Sequence, residues 1–280
     1  MDTQIDLSRL SITTGGSGPP ALLVHAYGAN KSAWRYICAG LREVFNYTAL
    51  DLPGSGASPA PATYTYTLEN LAHSLNLFIK ERDFRDLTII AHSLGATITF
   101  IALLNNKDSL LPHIRRLCII DGVGLNQKFP MFFGAIRSPL VGWLITELPP
   151  LDLQVRIILR YCYFDPSRIT DAQVQNYVHS LRSPAVRHAL RETARLIDAD
   201  KLSVYSTRLS ELHIPCLLIW GKEDRVIPLT QGEQLCRLLP QSTLKVIDHC
   251  GHMPHEECPN AVISTIRDFT LQPERDSLKL

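Results

Sequence analysis

The sequence predicts an α/β fold: a mostly parallel central sheet flanked by helices, with a helical lid inserted into it. Three observations carry this. Short, almost wholly apolar runs recur along the chain, helix-like segments separate them, and residues 125–208 contain no convincing strand. Apolar runs without polar alternation mark strands covered on both faces, as in a parallel sheet between helical layers.

Six runs read as buried strands: "ALLVHA" (21–26), "TALDL" (48–52), "LTIIAH" (87–92), "RLCIID" (116–121), "CLLIWG" (216–221) and "TLKVID" (243–248). Ahead of the first, "TTGGSGPP" (13–20) has glycines but no Lys-Ser/Thr ending. It reads as a hairpin turn rather than a phosphate loop. "TLENLAHSLNLFIKER" (67–82) reads as an amphipathic helix. Thr67 offers an N-cap, and Leu68, Leu71, Leu75 and Phe78 fall near one face. In the middle of the chain, "SPLVGWLITEL", "LDLQVRIILRYCYF", "TDAQVQNYVHSLR" and "SPAVRHALRETARLIDAD" read as helices. Thr170 with Gln173 forms a capping box, and Ser183-Pro184 a helix start. The expected organisation is a core of residues 1–124 and 209–271, a lid of 125–208, and a solvated tail, "QPERDSLKL" (272–280).

Composition narrows the function. The 280 residues are 45% hydrophobic and 20% charged, with a net charge of +1. That is ordinary for a globular chain and gives no attraction to nucleic acid or to an acidic membrane. No apolar run reaches the roughly 18 residues of a membrane span. The start, "MDTQIDLSRL", lacks the basic and apolar parts of a signal peptide, so a cytoplasmic location is expected. Seven cysteines (38, 118, 162, 216, 236, 250 and 258) show no CxxC pairing and read as free thiols in a reducing compartment. No nucleotide, metal or flavin signature appears, so no cofactor is expected.

The candidate chemistry sits at strand ends, where open parallel sheets collect reactive groups. "TIIAHSLGATITF" (88–100) places Ser93 where a strand stops and a helix starts. Such a turn is tight, and small residues on either side, here Ala91 and Gly95, prevent backbone clashes. The N–H of Leu94 would face a developing oxyanion. A serine hydroxyl needs a base to attack. His252, in "DHCGHMPHEECP", lies in a loop after a strand-like run, and His255 is its rival. His25 and His92, at strand ends, read as structural hydrogen-bonders. The base needs an orienting carboxylate. Asp224, in "CLLIWGKEDRVIP", is the first candidate and Asp121, in "CIIDGVG", the second; the adjacent Glu223 should point elsewhere.

"HAYGANKSAW" (25–34), "DLPGSGAS" (51–58), "AHSLGA" (91–96), "PCLLIWGKEDRVIP" (215–228) and "CGHMPHEECP" (250–259) together resemble the α/β-hydrolase superfamily, in its lid-bearing esterase and C–C hydrolase branch. The resemblance covers nearly the whole chain. It implies a triad of Ser93, Asp224 and His252, in the chain order of that fold. It also implies an oxyanion hole from the backbone N–H groups of Tyr27 and Leu94. Ala26 and Ala91 stand where the family usually has glycine. The implied activity is cleavage of an ester or thioester bond in a small hydrophobic acyl substrate, through an acyl-serine. Dehalogenases and epoxide hydrolases of the family place an aspartate where this chain has Ser93. Its C–C hydrolases typically have asparagine and tryptophan where this chain has His92 and Met253. A C–C hydrolase of a vinylogous diketone, a lyase or cyclase, and a small-molecule receptor are the alternatives. Of the apolar residues at 132, 133, 143, 144, 161, 163 and 164, most should pack the lid and a minority should line an apolar pocket.

Overall fold

The structure, a computed structural model, describes residues 5–122, 131–197 and 199–271. The expected start of the lid at 125 and the 272–280 tail lie outside the described residues. Seven strands form one sheet in the order β1-β3-β2-β4-β5-β6-β7. They are β1 (Ile12–Gly15), β2 (Pro20–Val24), β3 (Asn46–Leu50), β4 (Leu87–His92), β5 (Ile114–Ile120), β6 (Cys216–Gly221) and β7 (Ser242–Ile247). All neighbours are parallel except β1, which runs antiparallel to β3, with Ile12 opposite Leu50.

Around and between the strands lie α1 (Arg35–Leu41), α2 (Leu68–Glu81), α3 (Leu94–Asn105) and α4 (Lys107–Leu110). Between β5 and β6 the described residues form six further helices: α5 (Met131–Arg137), α6 (Pro139–Glu147), α7 (Leu151–Cys162), α8 (Asp171–Leu181), α9 (Pro184–Leu196) and α10 (Ala199–Arg208). The chain closes with α11 (Leu229–Leu238), α12 (Pro254–Glu257) and α13 (Pro259–Leu271). Among the described residues, no helix is long and apolar enough to cross a membrane.

Two sequence expectations are corrected. Residues 13–20 do not form a hairpin turn, because β1 and β2 are not neighbours: β3 lies between them. β1 escapes detection because it is short and lies at the edge, with Thr13 and Thr14 exposed. β7 is not covered on both faces. It is the opposite edge, and only its last residue, Ile247, is buried. The central strands do carry apolar side chains to both sides. Leu22 and Val24 of β2 enter one core cluster, Ala21 and Leu23 the other.

Local signals account for the helices. The Thr67 hydroxyl accepts from Asn70 N–H and starts α2, whose buried face includes Leu68, Leu71, Leu75 and Phe78. Thr170 and Gln173 complete a reciprocal capping box at α8. Ser183 caps α9, with Pro184 in its first turn. In α3, eleven of twelve residues are buried, which fits a helix with no polar stripe in the middle of a fold.

The α3 N-terminus presses directly on β2. A Cβ added at Gly95 would lie 2.5 Å from the His25 carbonyl oxygen and 2.6 Å from that of Val24. Neither backbone atom can yield without bending the sheet. Gly95→Ala should therefore destabilise the fold by about 1–3 kcal/mol. The expected result is a lower urea midpoint at unchanged m; an unchanged midpoint would contradict the close approach.

Candidate active site

The strand order reverses between β2 and β4: the chain leaves β2 for β3 on one side and takes up β4 on the other. A crevice opens outside the strand ends at such a point. Ser93 follows β4 there, with φ 51° and ψ −120°, outside the comfortable region for a residue with a Cβ. Its N–H donates to the Ile120 carbonyl at 3.0 Å, which ties the turn to β5. Small neighbours and this bond hold a conformation that costs on the order of 1–3 kcal/mol.

The structure brings three of the singled-out side chains into one hydrogen-bonded row. His252 Nε2 lies 3.0 Å from Ser93 Oγ, and His252 Nδ1 lies 2.7 Å from Asp224 Oδ2. All three are buried. Asp224 Oδ1 accepts from the N–H groups of Val226 and Ile227 at 2.7 and 2.9 Å. The carboxylate is thus fixed at both oxygens. With Asp224 ionised, Nδ1 carries the proton and donates, which leaves Nε2 as an acceptor for the serine hydroxyl.

The backbone of His252 is held as firmly as its ring. His252 N–H donates to the Cys162 carbonyl at 2.7 Å, and His92 Nε2–H donates to the His252 carbonyl at 2.8 Å. The His92 ring packs 4.4 Å from that of His255, which stands 4.8 Å from Trp34. His255 is therefore behind His92. Both of its ring nitrogens are buried without a hydrogen bond. Burial, reinforced by the neighbouring histidines, holds His92 well below the ordinary value. Burial likewise lowers His255 to about 3. Both rings are neutral at physiological pH.

The other singled-out residues have definite places. His25 is structural: Nδ1–H donates to the Ala26 carbonyl at 2.8 Å, and Nε2 accepts from Leu52 N–H at 3.0 Å. This joins the Tyr27 loop to the loop after β3. The Tyr27 hydroxyl donates to the Leu190 carbonyl at 2.9 Å, and its ring meets Phe133 edge-on at 5.2 Å. Leu94, at the first position of α3, has an N–H without a helical acceptor. Tyr27 N–H makes no backbone hydrogen bond among the described residues. Glu223 accepts from Cys250 N–H at 3.0 Å. Asp121 is wholly buried and accepts from Gly221 N–H at 2.9 Å. Burial, then the nearby Asp224, pushes its carboxyl well above the usual range.

A narrow crevice, open to solvent, is lined by Tyr27, Leu94 and Ile98 from the core and by Leu181, Val186 and Leu190 from α8 and α9. Of the aromatic residues expected to contribute to a pocket, Phe133, Trp143, Tyr161, Tyr163 and Phe164 do not line it. Trp143, Leu144 and Tyr161 are exposed, and Tyr163 is buried in a polar cluster. That cluster was not foreseen. Glu256, at zero exposure of its side chain, accepts from Tyr177 Oη at 2.7 Å and from Tyr163 Oη and Gln173 Nε2, each at 3.2 Å. Glu257 accepts from three backbone N–H groups, those of Gly251, Phe164 and Asp165. The signal was the acidic pair in "CGHMPHEECP", two to three residues past Pro254.

His92, Asp121 and His252 each place one ligand-type atom within 4.8 Å of the others. Their hydrogen bonds explain the cluster. Both His252 nitrogens and one nitrogen of His92 are engaged, as is one oxygen of Asp121.

A model described as the alpha/beta hydrolase family matches residues 21–265. An uncharacterised hydrolase, YugF of Bacillus subtilis (strain 168), is 26% identical over 246 residues, 88% of each chain. A 2-hydroxy-6-oxo-2,4-heptadienoate hydrolase of Pseudomonas putida is 23% identical over 261 residues, 91% of this chain and 90% of the relative. Among solved structures, an alpha/beta hydrolase fold protein from Burkholderia ambifaria superposes with a TM-score of 0.82 at 21% identity, over 92% of this chain and 93% of that one.

The buried histidine at 255 makes stability depend on pH. Its folded value of about 3 lies below its ordinary 6.5. Between these values the unfolded chain binds a proton that the folded chain refuses. The contribution is therefore complete above 6.5, is lost as pH falls, and levels off near 3. The slope approaches about 1.4 kcal/mol per pH unit. His255→Leu should remove this component, so that its urea midpoint falls less steeply than the parent's across the window. Parallel midpoint curves would contradict a neutral, buried His255.

Proposed function

Since this chain belongs to the alpha/beta hydrolase family, we propose that it is a serine hydrolase that cleaves an ester or thioester bond of a small hydrophobic acyl substrate. The observation that carries the reading is the unbroken row from Asp224 through His252 to Ser93, at 2.7 and 3.0 Å. In this reading His252 Nε2 removes the Ser93 proton as Oγ attacks the substrate carbonyl. Asp224 stabilises the imidazolium that forms. The N–H groups of Tyr27 and Leu94 receive the oxyanion. His252 then returns the proton to the leaving group, and the acyl-serine is hydrolysed by a water that His252 deprotonates.

The insertion, residues 125–208, acts as the lid in this account. Its aliphatic side chains along the crevice beside Leu94 favour an apolar acyl group. All seven cysteines are free, in keeping with a reducing, cytoplasmic setting. No cofactor takes part in this chemistry.

The test is turnover of the purified protein on nitrophenyl esters and acyl thioesters of increasing chain length, with a vinylogous diketone beside them. Ser93→Ala should abolish ester cleavage and keep the thermal transition of the parent. Asp224→Asn should lower kcat by roughly 10⁴-fold. Undiminished cleavage by the Ser93→Ala protein would sink the reading. Cleavage of the diketone without cleavage of any ester would replace it with C–C bond hydrolysis, the activity to which the name of the Pseudomonas putida relative points.

A further inference from the structure

Two helices of the insertion turn apolar side chains to water. Of the twelve exposed large hydrophobic residues among those described, nine lie between 140 and 161. Helix α6 is inside out. It buries Gly142 and Thr146, while Leu140 and Leu144, with Leu148 just past its end, stand outward one turn apart. Trp143 on the same helix is 47% exposed. Helix α7 is apolar on two opposite faces. Val155, Leu159 and Cys162 enter a core cluster, whereas Leu153, Ile157 and Tyr161 stay exposed. The turn at 148–150 joins the two rows, and Gln154 Nε2 braces it by donating to the Pro149 carbonyl at 2.8 Å.

The charge beside these rows is one-sided. The acids are taken: Glu147 by Arg187 and Arg191, Asp152 by Gln175, and Asp171 by Arg156. Arg137, Arg160 and Arg225 are exposed and join no ion pair among the described residues. Arg160 lies one turn from Ile157 on α7. The Arg225 carbonyl accepts from Tyr161 Oη at 3.1 Å, which brings that arginine beside the same helix. The net charge of +1 averages over the whole chain and hides this face.

We propose that this face of α6 and α7 docks on the surface of a bilayer that carries anionic lipid. The inference stands on the surface alone and not on the chemistry assigned to Ser93. Exposed apolar residues scattered singly are ordinary, but a concentration of them on neighbouring helices marks an interaction surface. Leucine and isoleucine side chains enter the acyl boundary, and tryptophan and tyrosine settle at headgroup level. The unpaired arginines then meet lipid phosphates. A second copy of the chain fits less well. A two-fold contact lays the same patch against itself, which sets these arginines near one another with no free acid from this stretch to meet them. The helices lie on the bilayer rather than cross it, because α6 has 9 residues and α7 has 12.

The test is flotation of the purified full chain with vesicles of phosphatidylcholine alone and of phosphatidylcholine mixed with phosphatidylglycerol. The expected result is binding to the mixed vesicles, at least about tenfold weaker binding to phosphatidylcholine alone, and release by salt. Tryptophan emission reports the place of contact. Trp34 and Trp220 are wholly buried, so a blue shift on binding belongs to Trp143. Leu148→Glu combined with Ile157→Glu should keep the thermal transition of the parent and weaken binding by about 10²-fold. Ser93→Ala should bind as the parent does. No flotation with either vesicle, equal flotation with both, or an emission that does not shift would each overturn the proposal. So would a folded double variant that floats like the parent. A dimer that the double variant disperses, in a parent that does not float, would assign the face to a second copy instead. The emission shift is read on the parent, so the proposal stays open to refutation even if the double variant fails to fold. Turnover enters none of these readouts, and a failed hydrolase reading leaves the docking untouched.

Discussion

The structure depends on how His252 is held. A ring that bridges a hydroxyl at 3.0 Å and a carboxylate at 2.7 Å tolerates little rotation or drift. Here its backbone is clamped at both ends of the residue. The N–H goes to Cys162 in the insertion, and the carbonyl takes the N–H of His92, the neighbour of Ser93. Three distant stretches of chain meet at one residue. In the proposed reading, the strained turn at Ser93 and the fixed carboxylate of Asp224 serve catalysis only while His252 stays between them.

The same loop carries the charge that joins insertion and core. Burying a carboxylate costs several kcal/mol unless its oxygens are satisfied. Glu256 meets this with two tyrosine hydroxyls and an amide from the insertion, with Arg35 at 3.8 Å. Burial still raises its carboxyl above the ordinary range, so these donors only partly offset the desolvation. Glu257 meets it with three backbone N–H groups, two of them from the stretch after α7. The insertion is thus riveted beside the base through α7 and α8.

Much of this was legible in the sequence, and the misses share a cause. Apolar runs such as "LTIIAH" and "CLLIWG" announce buried strands because neither face meets water. β1 and β7 lie at edges, where water takes one side and the pattern dissolves. Ser93 and Asp224 stand out because each follows such a run, and His252 because it sits in a loop after the strand-like "TLKVID"; these are the side chains the structure joins. Glu256 and Glu257 do not stand out, because most of their partners lie about 80 to 90 residues away. Several of those partners are backbone N–H groups, which every residue but proline supplies. The crevice lining was misjudged for a related reason. Large aromatic residues draw attention in a helical segment, but a helix can turn them outward, as with Trp143, or into a polar cluster, as with Tyr163.

The central claim is that Ser93 is an activated nucleophile rather than a serine at a strained turn. Mass measurement of the intact protein after exposure to a fluorophosphonate tests it most directly. The account predicts rapid addition of one phosphonyl group per chain, located on the peptide that contains Ser93 and absent from Ser93→Ala. Slow or absent labelling, or labelling that persists in Ser93→Ala, would contradict it.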